Sequence, residues 1–240
     1  MTVLCGGQNI CGLAIGVLSL ESYFPKPAGH IKNPASLPFT TTYEILQGIT
    51  VPELLNNPSP EMLEPIVAAA IRLEKQGVKA ITGSSGFVAL FQREIAQSVS
   101  VPVFLSSLLQ VPLAYQMTRA PVGVLTASAP ALTPKHIDGD GASGVPIIVQ
   151  GLEETQEFAS VILRNERNSM DLNKIEAEVQ AAASRLIEAA PDIKSVVLEC
   201  TDLPPYAQKL QHAIKRPVFD LTTLATMMHD VVLRQSYAGV

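Results

Sequence analysis

Val78-Lys79-Ala80-Ile81 and Ile193-Lys194-Ser195-Val196 are one short segment met twice, and Val101-Pro102-Val103-Phe104 returns as Arg216-Pro217-Val218-Phe219. Residue 78 maps to 193 and residue 102 to 217, the same shift of 115 with no gap between. Upstream, A-A-A-I-R-L at 68–73 echoes A-A-A-S-R-L at 181–186, and G-V-L-S at 16–19 echoes G-V-L-T at 123–126. β-Branched strands and Ala-rich helices recur in many α/β proteins, so any single echo is weak. Four echoes in one order point to two homologous halves, 12–116 and 117–216, with 217–240 expected to pack back on the first.

Between the echoes, strand-length apolar runs alternate with amphipathic stretches. L-A-I-G-V-L-S-L at 13–20 has the continuous apolar character of a strand buried on both faces. Residues 60–76 read as a helix, with Ser59 as N-cap, Pro60 at the first position and Gly77 as terminator. Leu63, Ile66, Val67, Ala70, Ile71 and Leu73 supply most of one face. Pro65 inside that span predicts a late start or a kink. A strand at 78–82, a helix at 88–98 and a strand at 102–105 follow. Such alternation gives parallel sheets. The fold class is therefore α/β, with two pseudo-symmetric Rossmann-like domains, 12–116 plus 217–240 and 117–216, about a pseudo-two-fold axis. Parallel sheets take ligands at the C-terminal ends of their strands, which places a site where the halves meet.

Composition removes several functions. Of 240 residues, 47% are apolar and 16% charged, too apolar for a disordered chain. The net charge is −5, with no Lys or Arg run to grip nucleic acid and no Trp for base stacking. Cys5, Cys11 and Cys200 are too few and too scattered for a disulfide framework or a zinc site, and the four histidines pair with none of them. The apolar stretch 11–20 is too short for a membrane span and lacks a basic flank, so the chain is expected to be soluble and cytoplasmic.

Under the shift of 115, Ser85 is the partner of Cys200. Each follows a strand and precedes a helix, in T-G-S-S-G-F and L-E-C-T-D-L. Backbone N–H groups at such a helix start suit a carboxylate and would lower the pKa of a thiol, making Cys200 a candidate thiolate. Two equivalent groups across an interface address opposite faces of one substrate carbon. One removes a proton and the other returns it from the far side, given donors that stabilise the carbanion.

The stretches I-T-G-S-S-G-F-V-A-L-F-Q-R-E-I-A (81–96), V-P-V-F-L-S-S-L-L-Q-V-P (101–112), G-V-L-T-A-S-A-P-A-L-T-P-K-H (123–136) and V-V-L-E-C-T-D-L-P-P-Y-A (196–207) together resemble the aspartate/glutamate/hydantoin racemase superfamily over essentially the full length. The resemblance implies a two-domain enzyme that uses no pyridoxal phosphate, no other cofactor and no metal. It implies a small carboxylate or amino-acid substrate, commonly a homodimer, and two catalytic cysteines, one from each half. The expected activity is racemisation of aspartate or glutamate, with a hydantoin as neighbouring substrate.

The sequence departs from that pattern at the first cysteine, which falls on Ser85. A hydroxyl is too weak an acid to replace a thiolate unaided. Three explanations stand: a Cys-to-Ser variant that silences a racemase, a natural single-cysteine protein resembling the arylmalonate decarboxylase branch, or a non-catalytic carboxylate binder. The first is favoured, since the residues around Ser85 otherwise keep the family's pattern. Further candidates are Ser84, Gly86 and Phe87 beside Ser85, Thr201 beside Cys200, and Ser19, Thr126 and Ser128 at the ends of the paired first strands. Ser106 and Ser107 read as helix caps. The Pro-rich, aromatic segment 21–47 is expected to cover the cleft, with Tyr23, Asn33 and Tyr43 as its contributors. Glu199 and Asp202 are expected to point away from the thiol, since a neighbouring carboxylate would raise its pKa. Histidines 30, 136, 212 and 229 read as structural or exposed, and Cys5 and Cys11 as poor stand-ins for the missing thiol.

Overall fold

The computed structural model describes residues 6–236, and Cys5 lies outside them. Two four-stranded parallel sheets are present. The first runs β2 (Thr41–Thr50), β1 (Ile15–Glu21), β3 (Ala80–Gly83), β4 (Val103–Phe104). The second runs β6 (Ile147–Gly151), β5 (Val122–Thr126), β7 (Ser195–Leu198), β8 (Val218–Phe219) in the same order. The repeat is carried down to the register. Gly16 on β1 stands opposite Ile81 on β3, and Gly123 on β5 opposite Val196 on β7.

The glycine of each G-V-L echo has a steric reason. A Cβ on Gly16 would lie 2.9 Å from Leu73 Cδ2, and one on Gly123 would lie 2.9 Å from Leu186 Cδ2. Those leucines end the two A-A-A-x-R-L echoes, on α2 (Leu63–Lys75) and α6 (Leu172–Ala189). Each half thus seats a helix leucine in the gap left by a strand glycine. Burying each leucine is worth about 1.5–3 kcal/mol. Residues 60–62 form a 3-10 turn capped by Ser59, so α2 proper starts at Leu63, and Pro65 falls in its first turn, where a missing N–H costs nothing. Gly77, with φ +92°, then turns the chain toward β3.

The remaining helices are α1 (Val51–Asn56), α3 (Gln92–Ser98), α4 (Val111–Thr118), α5 (Pro134–Gly139), α7 (Ala207–Ile214) and α8 (Leu221–Val232). The expected helix at 88–98 is a 3-10 segment, Gly86–Phe91, that passes into α3. Two boundaries move. β8 pairs with β7 and so belongs to the second half; the chain returns to the first half at Asp220, not at Pro217. There α8 lays Leu221, Leu224 and Ala225 against Ile15, Val17, Ala80 and Phe104. Reciprocally, α4, which straddles the expected boundary at 116/117, packs on β5 and β7 of the second half. Each half thus lends the other its closing helix. Segment 21–47 also differs from a plain loop, because Thr41 onward forms the edge strand β2, parallel to β1. No helix among the described residues is long and apolar enough to cross a membrane.

Candidate active site

In each sheet the strand order reverses between the first and third strands, the crevice where doubly wound folds bind ligands. The two crevices face one another. A narrow cavity lies between them. Ser84, Ser85, Gly86 and Phe87 line it from the end of β3, and Cys200, Thr201 and Asp202 from the end of β7. Ser85 and Cys200 thus share one cavity, as the repeat implies.

Both loops are held by hydrogen bonds across the molecule. Ser84 Oγ accepts from the Leu20 N–H at 2.9 Å, and the Thr201 hydroxyl donates to the Ser84 carbonyl at 2.7 Å, tying the first half to the second. Ser107 does the same deeper down, donating to the Leu198 carbonyl at 2.6 Å, whereas Ser106 caps the turn that follows it. Ser85 opens the 3-10 segment in extended conformation, and its hydroxyl makes no capping bond.

Of the two flanking carboxylates, Asp202 does not point away from the thiol. Cys200 Sγ donates to Asp202 Oδ2 at 3.6 Å, and Asp202 Oδ1 accepts from His30 Nε2 at 3.0 Å. His30 Nδ1 accepts from the Lys32 N–H at 2.9 Å, which leaves the ring proton on Nε2 and aims it at Asp202. The result is a relay of thiol, carboxylate and imidazole. Burial pushes the Cys200 thiol well above its ordinary pKa, and the charges of Asp202 and Glu199 push it further. A lowered thiol pKa, expected from the loop position, is therefore not found: desolvation and two carboxylates outweigh the helix start. Burial also works to raise the Asp202 carboxyl, but His30, Lys26 and the thiol outweigh it and hold that carboxyl below the ordinary range.

Segment 21–47 covers the cavity, but through residues other than those picked from it. Phe24, His30 and Lys32 line the wall; Tyr23, Asn33 and Tyr43 do not. Tyr23 is exposed and donates to Glu21. Asn33 caps the turn at Pro34–Ser36, and the Tyr43 hydroxyl donates to the Ile31 carbonyl at 3.0 Å, pinning the cover from behind. Gly29, with φ +101°, lies so close to Pro205 that a Cβ there would come within 2.8 Å of its Cα. The cover therefore reaches from β1 to the second half. Lys32 Nζ donates to the Leu20 carbonyl at 2.7 Å and to Ser22 Oγ at 2.8 Å. Lys26 stands 3.4 Å above the Phe24 ring, and burial with the nearby Lys32 charge lowers it to about 8.

Other candidates stay outside the lining. Ser19 lies buried in β1, Ser128 is half-buried beyond β5, and Cys11 is exposed. Thr126 reaches the site indirectly, donating to Glu199 Oε2 at 2.7 Å. Leu20, Val51, Leu55, Ala127 and Ile162 complete an apolar wall. His30 and Lys32 were not legible as site residues. Their only signal was membership of the Pro-rich segment, whose irregular path sets which side chains turn inward. No group of three or more His, Cys, Asp and Glu able to hold a metal is found among the described residues.

No family model matches the chain. It is 29% identical over 242 residues to dimethylsulfoniopropionate lyase 5 of Emiliania huxleyi (strain CCMP1516), a match that takes in 95% of this chain and 47% of that protein. The chain thus spans about half the length of that curated relative. Among solved structures, arylmalonate decarboxylase superposes with TM-score 0.57 at 14% identity, over 90% of this chain and 92% of that one. An aspartate racemase homologue from Pyrococcus horikoshii OT3 superposes with TM-score 0.58 at 19% identity, over 91% and 98%. These likenesses give the chain the fold of the aspartate/glutamate racemase superfamily.

Proposed function

We propose that this chain is a cofactor-independent lyase that eliminates a β-substituent from a small carboxylate, with Cys200 as the one thiol that handles the substrate proton. The observation that carries the reading is the asymmetry of the cavity. Cys200 has a carboxylate partner in Asp202, whereas Ser85 across from it has an unassisted hydroxyl. Two-base racemisation needs an acid and a base of similar strength on opposite faces, and a lone hydroxyl is a poor base at neutral pH. Elimination needs a base on one face only. The likeness to a dimethylsulfoniopropionate lyase supports the same choice.

In the proposed reaction the Cys200 sulfur takes the proton from the carbon next to the substrate carboxylate, while its own S–H proton passes to Asp202 Oδ2. The C–H electron pair becomes the C=C bond. The β-substituent leaves with the pair of the bond that held it. With dimethylsulfoniopropionate the products are acrylate, neutral dimethyl sulfide and one proton held on Asp202. The His30 N–H keeps Asp202 oriented and anionic until it accepts that proton. Lys32 spends two of its three ammonium hydrogens on Leu20 and Ser22, leaving one for the substrate carboxylate. In this reading the Ser85 hydroxyl donates to the charge that builds on the carboxylate oxygens. Phe24 and Phe87 line the cavity, and in this reading their rings lie beside the cationic sulfonium.

The test is a substrate panel assayed with the intact chain. Acrylate and dimethyl sulfide from dimethylsulfoniopropionate support the reading. Carbon dioxide from an arylmalonate moves it to decarboxylation. α-Deuteration of aspartate or glutamate with inversion restores racemisation. Lys32→Met should raise KM for the carboxylate substrate by about 10–100-fold, the loss of one charge-assisted hydrogen bond, with a smaller change in kcat. Steady-state kinetics on wild type and variant check this; an unmoved KM removes Lys32 from substrate binding.

A further inference from the structure

We propose that Glu199, with Asp140 nearby, is a positioning residue that stands protonated next to Cys200 and so keeps the thiol's surroundings open to an anion. Glu199 is fully buried, and its Oε1 has no hydrogen-bond partner among the described residues. Asp140, at the end of α5, is 3% exposed, and neither of its carboxyl oxygens has a partner. A buried carboxylate with no cation and no full set of donors is costly, and the ordinary escape is to keep its proton.

The surroundings of Glu199 agree. Thr126 reaches its Oε2 from β5, Asp140 faces the cluster from α5, and Cys200 and Asp202 follow it in its own loop. Burial pushes Glu199 up to about 7, the Thr126 hydroxyl opposes this, and the Asp202 charge adds to it. Burial pushes Asp140 up to about 8, to which a charge on Glu199 would add. Glu199 also sits where the halves touch: a Cβ built on Gly86 would lie 2.0 Å from its Oε1 and 2.4 Å from its carbonyl oxygen. The side chain thus joins the Cys200 loop, β5 and the Ser85 loop. Were it ionised, Cys200 would lie near two anions, and an approaching carboxylate would meet both.

The clause about anions rests on the carboxylate reading of the cavity; the protonation does not. A carboxyl whose pKa is raised by folding holds its proton after the unfolded chain has released it, so stability is lost as pH rises from the carboxylate range through the folded value. Glu199→Gln carries an amide of the same shape that cannot ionise. Its thermal midpoint, compared with wild type, should gain on the order of 5–10 °C between about pH 5 and about pH 8.5. Asp140→Asn should gain in the same direction. In parallel, alkylation of Cys200 is followed by mass spectrometry with iodoacetate and iodoacetamide. The thiolate fraction cancels in the ratio of the two rates. In wild type that ratio should fall across the same pH range, and in Glu199→Gln it should stay level. A Glu199→Gln protein that unfolds, or that loses equal stability at both pH values, overturns the proposal, as does a ratio that falls as in wild type. Absence of lyase turnover with these results intact would sink the proposed reaction and leave the protonated Glu199 standing.

Discussion

Cys200→Ser is expected to lower acrylate formation from dimethylsulfoniopropionate by about 10²–10⁴-fold, the usual worth of a positioned proton-transfer group. The hydroxyl would sit in the same place, beside Asp202, but it is a far weaker acid and a poorer proton carrier than the thiol it replaces. The fold should survive, because Cys200 packs as one small side chain among Leu203, Tyr206 and the other members of the large core, and serine is close to it in volume. Headspace gas chromatography for dimethyl sulfide, with circular dichroism as the check on folding, measures both sides of this. Turnover that stays within tenfold of wild type would take the thiol out of the mechanism. The relay would then have to begin at Asp202.

Gly86→Ala is expected to have the largest effect on folding among single-methyl additions near the site. The new Cβ would meet Glu199 twice, at 2.0 Å from Oε1 and 2.4 Å from the carbonyl oxygen. The first contact could be eased by moving a side chain. The second is backbone, fixed by the Glu199 N–H donating to the Leu125 carbonyl at 2.8 Å. Overpacking of this kind costs about 1–3 kcal/mol, and a rigid backbone puts this position at the upper end. The two loops must separate to admit the methyl group, so Cys200 moves away from Ser85 and turnover falls with stability. Thermal unfolding and turnover on the same preparation test this together. An unchanged midpoint with unchanged turnover would mean that the loops do not meet at Gly86.

The repeat that made the fold legible survives in atomic detail. β3 and β7 lie at 80–83 and 195–198, and β4 and β8 at 103–104 and 218–219, each separated by the shift of 115 read from the echoes. Core positions repeat because strand, glycine and helix leucine must fit one another, and that constraint leaves a pattern in the chain. Ser85 and Cys200 were legible for the same reason. The cover over the cavity was not. Tyr23 and Lys32 sit in one irregular segment, and only hydrogen bonds such as those of Lys32 to Leu20 and Ser22 decide which turns inward. The state of the thiol is not legible there, because local sequence shows a helix start but not the burial of Cys200 near Asp202 and Glu199. The edge strand β2 was hidden by the prolines before it, although T-T-Y-E-I-L is rich in strand-forming residues.

The exchange of α4 and α8 between the halves has a consequence for dissection. A gene split near Ala120 would produce two fragments, each carrying a lid that fits its counterpart and lacking one for itself. Neither piece would be an autonomous folding unit, yet the two produced together should reassociate, as in fragment complementation, and do so with their sheet ends already confronting each other across the reactive cleft.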